Sequence, residues 1–264
     1  MKKTILWSDI IANIIRGPRI FFAKNTIRYS AFPFELDLSD FNFSDYENII
    51  PFLNRVDNQL SQTSENKHGM QFIHLGETVY FKSKNTLNIP FSDFVSKVDI
   101  AHVGLFYRDS LSANTKVVEK DEDGRSILQA VRIVALPQPN YSSFLGKGNL
   151  DVYKLEKIVY TENFQQVWMK TVLSPNNSAV CDDGYMKFES VDQGRATTVS
   201  FLACQNFPIP PLMALAKLDK WTWLKEKLTE AAYTTFSNRM MKNIEDCYYS
   251  KDFRVGKPSF RYEN

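Results

Sequence analysis

Two runs in which apolar and polar residues alternate flank Asp192-Gln193-Gly194, one over 179–190 and the other over 195–204. A period of two is that of a half-buried strand, so the pair predicts an antiparallel hairpin closed at Gln193-Gly194. Asp183-Gly184 marks a further turn upstream. The same alternation predicts strands at 151–161, at 166–173 and in "ETVYFKSKNTLNIP". "NTKVVEKDEDGRSILQAVRIVAL" predicts a second hairpin, turning at Asp123-Gly124. Residues 91–109 interrupt the strands with short helical periodicity, broken near Gly104.

From Leu212 the period changes to about 3.6 residues. Leu224, Leu228, Ala231, Ala232, Phe236, Met240, Ile244 and Cys247 form one apolar stripe, with Arg239, Lys242, Glu245 and Asp246 off it. The segment divides near Lys220–Thr222, and residues 223–248 are expected as one helix lying across the sheet. Near the N-terminus, residues 4–16 predict a helix that Gly17-Pro18 stops. A second falls within 44–60, where Ser44 and Glu47 have capping-box spacing and Pro51 offers an alternative start. The polar loop 61–69 suggests the organisation: an N-terminal extension (1–75), a main domain (76–250) and a C-terminal tail (251–264).

Composition narrows the function classes. A chain of 264 residues with 44% hydrophobic content can bury a substantial core. A net charge of +2 gives no global field for nucleic acid. Cys181, Cys204 and Cys247 have no CxxC spacing, and His68, His74 and His102 match no metal motif, so no metal or cofactor is expected. Reduced thiols point to a cytoplasmic protein. The apolar run at the N-terminus is cut by Ser8, Asp9 and Asn13, which argues against a secretory signal. No run is long enough to span a bilayer. Residues 1–30 hold Lys2, Lys3, Arg16, Arg19, Lys24 and Arg28 against Asp9 alone. Packing on the body of the protein is the simpler role for this segment, and peripheral membrane contact through residues 1–28 is the alternative.

A strand, two short helices, a run of antiparallel strands and one long C-terminal helix form an unusual order. It resembles the helix-grip fold of the START/Bet v 1-like superfamily, which includes lipid-transfer proteins and polyketide cyclases. The resemblance is carried by "TLNIPFSDFVSKV", "QQVWMKTVL", "DDGYMKFESVDQGRATTVSF" and "WLKEKLTEAAYTTFSNRMMKNIEDCY". It implies an α+β fold: a curved antiparallel sheet gripping the long C-terminal helix around a cavity, with the N-terminal helical extension outside it. "FPIPP" is then the rigid exit from the sheet.

The expected cavity walls are Phe106, Trp168, Phe188, Val199, Phe201, Tyr233, Phe236 and Met240, with ordinary core packing as the alternative for each. His102, Arg108, Tyr153, Lys157 and Arg239 are candidates for polar groups, although nothing in the sequence pairs them. "LGKG" is read as a turn rather than a phosphate loop. The resemblance implies binding of an apolar small molecule or lipid, or cyclase/dehydratase chemistry on a polyketide-like intermediate. Two or more polar groups converging inside would favour the enzyme, and purely apolar walls would favour carriage. A filled core without a cavity would favour a protein-interaction module.

Overall fold

The seven strands that alternation predicts form, and among the described residues nine strands join in one sheet. The structure, a computed structural model, describes residues 34–41, 47–107, 110–135, 150–177, 179–206, 222–249 and 259–263. The strands are β1 (Met70–Leu75), β2 (Thr78–Leu87), β3 (Ser110–Lys120), β4 (Ser126–Ala135) and β5 (Leu150–Tyr160), then β6 (Phe164–Leu173), β7 (Cys181–Val191), β8 (Ala196–Asn206) and β9 (Ser259–Glu263). Their spatial order is β1-β2-β8-β7-β6-β5-β4-β3-β9. All neighbours are antiparallel except β9, which runs parallel to β3. The open, curved sheet and its C-terminal helix make the helix-grip α+β arrangement.

The described helices are α1 (Ile49–Leu60), α2 (Phe91–Lys97) and α3 (Thr222–Tyr248), with a short 3-10 segment at Ile100–Leu105. In α1, Pro51 falls within the first turn, where its missing N–H costs no helical bond. The stripe Ile49, Leu53, Val56 and Leu60 is buried. It packs on one face of the sheet with Tyr153, Leu155, Tyr185 and Leu202, joined by Phe34 and Phe41. Asp57 of α1 fixes the contact, accepting from Tyr185 Oη at 3.0 Å and from Lys82 Nζ at 2.5 Å.

The opposite face meets α2 and α3. Met70, Phe81, Val167, Met169, Met186, Phe188, Val199 and Phe201 from the strands join Phe94, Tyr233, Met240 and Ile244 from the helices in one cluster. The buried line of α3 differs from the predicted stripe. Ala231 is exposed, while Thr234, Ser237 and Asn243 are buried. Hydrogen bonding explains the inward polar residues: Ser237 Oγ donates to Ser83 Oγ at 2.7 Å, and Asn243 Nδ2 to the Phe106 carbonyl at 3.2 Å.

The turn predicted at Asp183-Gly184 is corrected: both residues lie inside β7. A side chain at Gly184 would place its Cβ 2.1 Å from the Leu202 carbonyl oxygen, so glycine there serves close strand approach rather than turning. The turn at Asp192–Gly194 is where it was expected, with φ of 51°, 56° and 85° at its three residues. Expectations for residues 1–30 and for "FPIPP" and "LGKG" lie outside the described residues. No described helix is long and apolar enough to cross a membrane.

Candidate ligand-binding site

Strand parity decides which side chains of the sheet face α3. On β6, Val167 and Met169 face it, and Trp168 between them packs with the α1 cluster on the opposite face. Trp168 is therefore on the far side of the sheet from α3. The other seven expected wall residues come together. Phe106, Phe188, Val199, Phe201, Tyr233 and Met240 belong to the inner cluster, and Phe236 packs against it. They touch through aromatic contacts: Tyr233 stacks on Phe81 with centroids 4.5 Å apart, and Phe236 lies 6.1 Å from Phe201. Phe188 meets Phe94 edge-to-face at 5.0 Å.

Phe236 also stacks on Tyr107 at 5.7 Å, and Tyr107 leads from this apolar half to a buried polar one. The Tyr107 hydroxyl donates to Met169 Sδ at 3.7 Å, and Lys154 Nζ lies 6.0 Å from its ring centroid. Burial raises the Tyr107 pKa well above the usual phenol range, so it stays protonated. Lys154 is 1% exposed and pairs with Asp182 at 2.5 Å. Burial alone would lower its pKa, but the Asp182 carboxylate outweighs burial and holds the ammonium charged. Asp182 Oδ1 also accepts from Gln205 Nε2 at 2.6 Å.

Two residues along β5 from Lys154, on the same face, Glu156 is fully buried. Its Oε2 accepts from Gln129 Nε2 at 2.7 Å, and the same nitrogen donates to the Ala101 carbonyl at 2.8 Å. Burial pushes the Glu156 pKa up to about 7, opposed by the Gln129 bond and by Lys154 and His102. His102 is held by Asp99, with Nδ1 to Oδ2 at 3.1 Å. Burial disfavours the Asp99 charge, but the His102 bond and the Ala101 N–H overcome it, so its pKa lies below the ordinary value. Three buried acceptors of the set, Glu156 Oε1, Gln129 Oε1 and Gln205 Oε1, meet no donor among the described residues.

An outer cleft of about 690 Å³ adjoins this set, lined by Asp99, Ala101, Arg125, Ser126, Tyr160 and Gln165 among others. Ala101 belongs to both places: it lines the cleft, and its carbonyl holds Gln129.

The polar candidates of the sequence fall elsewhere. Tyr153 packs on the α1 face, Lys157 is exposed, and Arg108 lies outside the described residues. His102 acts electrostatically on Glu156 of the buried set, and Arg239 is half-buried on α3. Lys154, Glu156, Asp182, Gln129 and Gln205 were missed. A signal for the first two existed in "VYKLEKI": apolar residues at Val152 and Ile158 share a face with Lys154 and Glu156, while Tyr153 and Leu155 fill the other. A strand apolar on both faces is buried on both. Among the described residues, no group of three or more His, Cys, Asp or Glu side chains could hold a metal ion.

No family model matches the chain, and no curated protein matches it. Among solved structures it is similar to human STARD10, at 11% identity and a TM-score of 0.46, over 74% of this chain and 78% of that one. It is also similar to the Zhui aromatase/cyclase of a Streptomyces species, at 11% identity and a TM-score of 0.40, over 64% and 94%. A third likeness is to a Thermus thermophilus protein, TTHA0849, at 17% identity and a TM-score of 0.38, over 64% and 96%. These likenesses are remote, and what those proteins bind does not carry over to this chain.

Proposed function

We propose that the interior between the concave face of the sheet and α3 binds a predominantly apolar small molecule. One observation carries this reading. Enclosed among aromatic and methionine side chains is a polar set whose acceptors Glu156 Oε1, Gln129 Oε1 and Gln205 Oε1 find no donor among the described residues. A buried acceptor without a donor costs about 1–3 kcal/mol, so a core that served packing alone would gain by replacing it. The apolar surround would supply affinity through buried area, at about 25 cal/mol per Å². Phe236 and Tyr107, stacked between the two halves, are the side chains a ligand spanning them would displace.

The test is native mass spectrometry of protein taken from its own host, with thermal unfolding before and after extraction with organic solvent. A co-purifying small molecule whose removal lowers the melting temperature is the expected result. A protein that arrives ligand-free, and that no bicyclic aromatic or long-chain alcohol stabilises, would leave the interior as packing only and favour the interaction module.

A second reading has its own support. Glu156, titrating near 7, sits with Gln129, Lys154 and Tyr107, as an acid–base reaction on the bound molecule would require. In that reading Glu156 takes a proton from a carbon next to a ligand carbonyl and returns it. Deuterium exchange at the α-carbons of 2-tetralone measures this step. Exchange above the buffer rate that Glu156→Gln abolishes supports the enzyme. Equal rates with and without protein leave binding as the function.

A further inference from the structure

The buried set also has a sign. Its cation is matched: Lys154 lies 2.5 Å from Asp182, and Gln205 completes that carboxylate's bonding. Gln129 uses its amide nitrogen twice, toward Ala101 and Glu156. What is left over is acceptors, one oxygen each on Glu156, Gln129 and Gln205. Charge limits what can meet them. An anionic head would lie beside Glu156 and Asp182, with no unmatched cation in the set to receive it. A cationic head would be repelled by the buried Lys154 ammonium, which Asp182 holds charged. A neutral donor meets neither obstacle.

Resting on the proposed function above, we propose that the interior ligand carries an uncharged hydrogen-bond-donating head, a phenolic or alcoholic hydroxyl. This head donates to the open acceptors of Glu156 and Gln129. Carboxylic acids of the same shape are excluded. The apolar body then extends past Tyr107 toward Phe236 and Phe201, along the ring contacts already described. Selectivity of this kind comes from buried polar groups that the wrong head leaves unpaired, which discriminates more strongly than apolar shape.

Three probes that share one ring system test this by calorimetry on the full chain at pH 7.5: 2-naphthol, 2-methoxynaphthalene and 2-naphthoate. The expected result is 2-naphthol binding roughly tenfold or more tighter than either of the others. In Glu156→Gln, an amide that can present its own N–H, the preference for 2-naphthol over 2-methoxynaphthalene falls toward one. Circular dichroism checks that the variant is folded, and the ranking by the parent protein decides the matter without it. Equal binding of 2-naphthol and 2-methoxynaphthalene by the parent means that water serves the acceptors, and this overturns the donor claim while leaving interior binding intact. Tightest binding of 2-naphthoate overturns it as well. Failure of all three to bind removes interior binding itself, and the donor claim with it.

Discussion

Glu156 is fully buried with one oxygen held by Gln129, and burial raises its pKa from 4.5 to about 7. A raised carboxyl pKa means that the folded state keeps its proton over a range where the unfolded chain has lost it. The stability contribution is fully present below about pH 4.5 and is lost as pH rises to about 7. By linkage that loss is about 3 kcal/mol. Glu156→Gln does not titrate, so the variant should gain on the parent by about that amount between pH 4.5 and pH 8. Urea unfolding of both proteins across that range measures the gain, and a stability difference that stays constant with pH would contradict the buried carboxyl. None of this was legible from residue type, because a Lys or Glu in an alternating strand is usually on the solvated face. Here Val152 and Ile158 bracket Lys154 and Glu156 on one face while Tyr153 and Leu155 occupy the other. Trp168 is the converse case. It was expected at an inward strand position, but parity with Val167 and Met169 puts it on the α1 face.

At the scale of elements, periodicity was a good guide where an element has one buried face or a tight turn. The hairpin of β7 and β8 closes at Asp192–Gly194 because three successive residues there take positive φ. The helix Thr222–Tyr248 runs unbroken, as its apolar spacing predicts. What periodicity could not show is which polar residues a helix buries. Ser237 and Asn243 face the sheet and Phe106 because each finds a partner there, and a partner on another element leaves no trace in local spacing. The two outermost strands escaped for a related reason. β1 and β9 are short and pair on one side only, so much of what specifies them is the neighbouring strand. Gly184 misled because glycine relieves close backbone approach as readily as it makes turns, and only the Leu202 carbonyl distinguishes the two.

As a whole, the sheet is covered on both sides: α1 on one face, and α2 with α3 on the other. The two faces are chemically unlike. The α1 face is closed by Asp57, which ties Tyr185 and Lys82 to the helix and completes its own bonding. The α3 face combines stacked aromatics with Lys154, Asp182, Glu156, Gln129 and Gln205, and the unmet acceptors of the set lie here. That asymmetry is the basis for proposing the α3 face as the ligand side. Methionines report on it directly, since Met169 and Met186 line the sheet and Met240 lies opposite on the helix. The decisive measurement is methyl NMR of the methionine-labelled protein titrated with 2-naphthol, whose ring current shifts nearby methyl signals. Shifts at Met169, Met186 and Met240 that saturate together with the calorimetric isotherm, and that are lost from Met169 first in Glu156→Gln, are the expected result. Saturable binding that leaves all three methyl signals in place would contradict it, because the ligand would then lie outside the grip.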